Sequence, residues 1–316
     1  MRARGVKLFF LCLFFPALPL VSQAQAAPIA VTVSIPPQKY FVERIGGEEV
    51  SATVISGQGR DPHGYEPNAV QMQGISEAEI YFSIGVPFES QWLPKFCRLN
   101  PSMRLVSLPE HVERIKGSPN LALREGAFTR HGGRHEHQGT EGHREQHGLE
   151  TDDPHLWLSP RVMERTVPVI AAALSAARPD KARFFAERAE AFTAELRELD
   201  SYIRSLFVSV PQEKRAFLTF HQSMAYYADN FSLREVSVEL AGREPGPKSM
   251  TLLMDFAALH DVHVIVADGT TNKSTLSAIT RSIKGVAVTG NPLEENWPES
   301  LKHFSESLAK ALSNSY

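Results

Sequence analysis

The chain has 316 residues, with 33 lysines and arginines against 36 aspartates and glutamates and a formal charge of -3, so no strong field draws it to nucleic acid or an anionic membrane. Its only cysteines, Cys12 and Cys97, exclude a disulfide framework and a multi-thiolate metal site. The length exceeds what a single core usually grows to, so two domains are expected.

Arg2, Arg4 and Lys7 precede an apolar run from Leu8 to Leu20, followed by small residues ending Ala24-Gln25-Ala26. That is the layout of a cleaved secretory signal, and its apolar run is too short for a comfortable membrane span. Residues 1–26 are therefore expected to be a signal peptide and the mature chain to lie in the periplasm. Cys12 lacks the small residues that a lipoprotein signal carries before its cysteine. No later stretch reaches about 18 consecutive apolar residues, so the mature protein is expected to be soluble.

After the signal, "PIAVTVSI" reads as a buried strand, "PQKYFVERIGG" as a short helix stopped by glycines and "EVSATVISG" as a second strand. "DPHGYEPNAVQMQGISEAEIYFSIG" gives a loop, a helix and a third strand near Ile80–Ile84, and "MRLVSLPE" a fourth. A polar segment follows from about 116 to 150, in which "RHGGRHEHQGTEGHREQH" holds His131, His135, His137, His143 and His147 without a large apolar side chain. Such a segment cannot offset the entropy of ordering it, so a mobile loop is expected.

"DDPHLWLSPRVMERTVPVIAAALSAARPD" then leads into a helix ended at Pro179, and Lys181 to about Val208 reads as one long helix with Phe185, Phe192, Leu196, Leu199, Ile203 and Leu206 on one stripe. At about 1.5 Å per residue it is roughly 40 Å long, enough for a rigid strut between lobes. Strand and helix alternate again from "RAFLTF" to "GVAVTG", and the amphipathic "WPESLKHFSESLAKALS" closes the chain. The expected fold class is α/β, with two Rossmann-like lobes over 27–180 and 211–316 joined by a linking helix over 181–210.

In open parallel sheets, ligands bind beyond the carboxyl ends of strands. Three histidines fall there: His63 in "GRDPHGYEP", His155 in "TDDPHLWLSP" and His221 in "FLTFHQSMAYY". Two follow Asp-Pro, whose proline stiffens the turn. Two belong to the first lobe and one to the second, so a shared ion would sit in the cleft between them. Three neutral imidazoles suit zinc, copper or nickel and are poor for magnesium or calcium. Glu66, Asp61, Asp153 or a water could fill the fourth position, and the acids could instead orient the imidazoles through their second ring nitrogen. His111, His260, His263 and His303 are expected to be structural or without a role.

The ordered set "DPHGYEP", histidine-rich segment, "DPHLWLSP", long helix, "FHQSMAYYADNFSL" and "REPGPKSM" spans nearly the whole mature chain. It resembles the zinc-binding proteins of bacterial ABC importers, within a wider family of two-lobed metal receptors that includes manganese members. The resemblance implies metal ligands at His63, His155 and His221, Zn2+ as transported ligand, a monomer, and an inner-membrane permease with its ATPase as partners. A periplasmic zinc chaperone is a further partner it allows. It also implies that the histidine comb raises the local ion concentration or acts as sensor or buffer. Manganese members carry an aspartate after the final strand, where this chain reads Asn291; Asp268 falls where relatives often carry an acid that is not a ligand. A zinc hydrolase is the rival from another class, since three histidines and a water also describe a catalytic site, but no HExxH helix is present. A manganese- or iron-specific receptor and a surface adhesin are further alternatives. The chain carries no GxxxxGK[ST] loop, so any ATPase is a separate subunit.

Overall fold

The structure, a computed structural model, describes residues 27–57, 64–115, 152–237, 247–269 and 271–314. Residues 1–26, expected to form a signal peptide, most of the first Asp-Pro-His loop and the histidine-rich segment fall outside them.

The first lobe is a four-stranded parallel sheet of β1 (Ile29–Val33), β2 (Val50–Val54), β3 (Ile80–Ser83) and β4 (Arg104–Ser107), in the order β2-β1-β3-β4. Its central strands are apolar on both faces: every residue of β3 is buried, as are four of the five in β1. That pattern requires helices above and below the sheet. They are α1 (Pro36–Gly46), α2 (Ala69–Glu77) and α3 (Pro87–Leu99), with α4 (Pro160–Glu164) and α5 (Val167–Ala177) supplied after the described chain resumes. α2 opens with Asn68, whose side chain accepts from the Gln71 amide while Gln71 reaches back to the Asn68 amide, a reciprocal cap.

α3 is a helix that periodicity does not announce, because Pro94 lies inside it. The single helix expected after "DPHLWLSP" is instead a short 3-10 turn, α4 and α5, with prolines 160 and 168 each in the opening turn of a new helix, where the missing N–H costs nothing.

The long helix is present as α6 (Ala182–Leu206), with Phe185, Ala189, Phe192, Leu196 and Ile203 buried along one stripe. It packs on α1, α4 and α5, and on the last helix, α10 (Trp297–Asn314). The strut is thus embedded in the first lobe along much of its length.

The second lobe repeats the first: β5 (Ala216–Thr219), β6 (Arg234–Ser237), β7 (Val264–Ala267) and β8 (Val286–Thr289) are parallel in the order β6-β5-β7-β8, with α7 (Ala225–Phe231), α8 (Pro247–Leu259) and α9 (Lys273–Ser282) between them. Side chains alternate across this sheet. Phe217 and Val264 face a core continuous with the first lobe and α10; Leu218 and Ile265 face a smaller one with Leu253, Phe256 and Ile279. One apolar body therefore runs through both lobes, and the second carries a satellite core on its outer side.

His263 is a structural residue, as expected. Its Nδ1 lies 2.6 Å from the Ile283 carbonyl at the end of α9, and its Nε2 lies 2.8 Å from Asp261. No described helix is long and apolar enough to cross a membrane.

Candidate metal centre

Both sheets reverse strand order between their first and third strands, and in such sheets ligands bind beyond the carboxyl ends at that point. His221 leaves β5 at this point. The loop that carries it, Phe220 to Met224, is held by the carboxylate of Glu235 on the neighbouring β6. One oxygen of Glu235 accepts from the Thr219 hydroxyl at 2.8 Å, the Ser223 amide at 3.0 Å and the Met224 amide at 3.1 Å. These donors bracket His221 on both sides. Nothing in the sequence announces Glu235, which reads as an ordinary strand residue.

His155 enters from the first lobe. The Asp153 carboxylate accepts from the His155 backbone amide at 2.7 Å and from its ring Nδ1 at 2.8 Å. Pro154 between them fixes the chain so that one oxygen serves both donors. With Nδ1 donating, the ring tautomer carries its lone pair on Nε2, the arrangement a metal ligand needs. His155 is 5% exposed and its ring leans on Trp157 at 5.2 Å between centroids.

The two imidazoles meet across the cleft. Ring centroids of His155 and His221 are 5.3 Å apart with planes at 70°. The pair is separated by 66 positions and its members belong to different lobes. His63 and Asp61 lie outside the described residues, and among the described residues no three of His, Cys, Asp and Glu gather as a metal cluster.

The other candidates for the fourth position are placed as follows. Asp153 is engaged through Oδ1 as the carboxylate behind His155, while its Oδ2 is buried without a hydrogen-bond partner among the described residues. Glu66 is exposed on the approach to α2. Asn291 is spent on its own turn: its amide nitrogen donates to Glu294 at 2.8 Å and its oxygen accepts from the Leu293 amide at 3.0 Å. Asp268 lines a cavity shared with His221, Thr271 and Asn291, and its Oδ1 accepts from the Thr271 hydroxyl at 3.1 Å.

Glu235 is half-buried, and desolvation raises its pKa despite three hydrogen bonds, with the Asp153 charge adding to the rise.

A family model described as "ZnuA: Zinc-uptake complex component A periplasmic" matches residues 31–312. The chain belongs to the ZnuA family. Its coarse role follows: a metal-binding substrate-binding protein of ABC metal uptake, in a family whose members work with a permease and an ATPase. A crystal structure of ZnuA superposes with a TM-score of 0.75 at 30% identity, covering 90% of this chain and 98% of that one. A ZnuA deletion mutant with zinc bound gives 0.76 at the same identity and coverage. Among curated relatives, the manganese-binding lipoprotein MntA of Halalkalibacterium halodurans is 27% identical over 79% of this chain and 73% of its own length. The zinc-binding lipoprotein AdcA of Streptococcus pneumoniae is 26% identical over 96% of this chain, which spans 57% of AdcA. Relatives thus include both zinc and manganese binders.

Proposed function

We propose that the chain captures Zn2+ in the cleft and presents it to an inner-membrane ABC permease powered by a separate ATPase. The reading rests on the 5.3 Å approach of His155 and His221 from opposite lobes, with His63 as third ligand from the first Asp-Pro-His loop. Two neutral nitrogen donors with Asp153 and Glu235 behind them favour zinc over manganese, which prefers carboxylate and carbonyl oxygens. The resemblance to MntA keeps manganese as the second reading. Asn291 speaks against it, because its oxygen is tied into a turn and brings no charge.

The proposed mature form begins at Ala27, is a periplasmic monomer, and uses lobes 27–180 and 211–316 about the helix over 181–210. The histidine-rich segment would feed or buffer zinc at the cleft, and a periplasmic chaperone is a proposed donor. No catalytic role is assigned: the relatives named above are metal-binding proteins, and this reading uses His155 and His221 as ligands.

Calorimetric titration of the metal-free protein tests the reading. One tight zinc site at pH 7.5 that weakens steeply below about pH 6 supports it, since protons compete for imidazoles whose ordinary pKa is about 6.5. Tighter binding of manganese than of zinc would overturn it.

A further inference from the structure

The cleft gathers nitrogen ligands but places its acids one step back. Asp153 bonds the His155 ring from the first lobe, Glu235 holds the loop of His221 in the second, and Asn291 supplies no charge. A divalent ion held by neutral imidazoles keeps its full charge unless nearby anions offset it, and desolvating such a charge is costly.

We propose that Glu235 is a positioning residue of the metal centre that also sets its preference for divalent ions: one oxygen holds the loop carrying His221, and its charge joins that of Asp153 to neutralise a bound Zn2+. Two observations carry this. Glu235 Oε1 ties together Thr219, Ser223 and Met224, which flank His221. On the facing lobe Asp153 accepts from the His155 ring through one oxygen and keeps the other buried without a hydrogen-bond partner among the described residues. Both carboxylates thus stand close to the imidazoles, where an entering cation meets their charge. Because the attraction scales with the ion's charge, it discriminates by valence.

This inference rests on the zinc reading above, and its test separates the two. Zn2+ and Ag+, both imidazole binders, are titrated in chloride-free buffer into the wild type, His221→Ala, Glu235→Gln and Thr219→Val. Glutamine keeps the acceptor oxygen and removes the charge. The expected result is a 10–100-fold loss of Zn2+ affinity in Glu235→Gln, with roughly 3–10-fold for Ag+, half the effect on a logarithmic scale. Thr219→Val, which loses a hydrogen bond but no charge, should leave the Zn2+/Ag+ ratio at the wild-type value. Equal losses for both ions in Glu235→Gln, or none, would overturn the proposal. Should that variant fail to fold, Glu235→Asp, which keeps the charge, must hold the wild-type ratio even where both affinities fall. A wild type without a tight zinc site, or one indifferent to His221→Ala, would instead defeat the zinc reading itself.

Discussion

Trp157 and Trp297 bind the two lobes together: the Trp297 indole donates to the Trp157 carbonyl at 2.8 Å, and the Trp157 indole donates to the Pro292 carbonyl at 2.7 Å. Each ring faces the other lobe's backbone, two residues beyond His155 on one side and at the start of α10 on the other. Trp297 also packs edge-on against Phe41 of α1 at 4.9 Å. Lys39 reaches Glu295 at 2.6 Å, and the Tyr226 hydroxyl accepts from the Ile115 amide at 3.1 Å while donating to the Asp153 carbonyl at 3.3 Å. With α6 embedded in the first lobe, these links oppose wide hinge bending. Small-angle scattering with and without zinc should therefore give nearly superimposable profiles; a large closure on loading would contradict the rigid account.

Removing the carboxylate behind His155 isolates its orienting effect. Asp153→Ala leaves the imidazole without the acceptor that sets its tautomer and angle, and the expected cost is 10–100-fold in zinc affinity. Competition against a colorimetric chelator measures it. An unchanged affinity would mean that His155 is not a ligand or needs no support.

The metal-free fold should itself depend on pH through Glu89. This side chain is 4% exposed beneath the first lobe's switch point, where it accepts from the Ser34 hydroxyl and from the Ile84 and Gly85 amides at 2.9 and 2.8 Å. Burial still pushes its carboxyl up to about 7, the three donors and Arg114 pulling it back only in part. Between about pH 4.5 and 7 the folded chain then keeps a proton that the unfolded chain has released. Stability must fall as pH rises through that window and level off above it, by on the order of 3 kcal/mol at most. Chemical denaturation of the metal-free protein at pH 5 and 8 should show this decline, and Glu89→Gln should flatten it. A slope that survives the substitution would place its origin elsewhere.

Excision of 130–147 removes five histidines and none of the proposed ligands. The expected result is loss of weak additional zinc binding with the tight site retained. Loss of the tight site would mean that the ligands are misplaced.

Much of the fold was legible because buried parallel strands are short apolar runs between turns, and each of the eight described strands lies within or beside such a run. α3 was not, since Pro94 sits mid-helix where a breaker is expected. The division of 156–177 into three pieces was written in prolines 160 and 168, whose preference for a first turn is as strong as their power to break. His155 and His221 were legible because a histidine after an apolar strand lands at the carboxyl edge of the sheet. Glu235 was not: within β6 it alternates like any polar strand residue, and only the fold brings it under the loop of β5. Asp153 was seen as ligand or orienter, and its bond to Nδ1 supports the second.

Metal content tests the central claim most directly. Wild-type protein, equilibrated with equimolar zinc and manganese and then freed of loosely held ions, should retain one equivalent of zinc, whereas the variant with His63, His155 and His221 all replaced by alanine should retain none. One equivalent of zinc in the triple variant, or manganese in the wild type, would contradict the account.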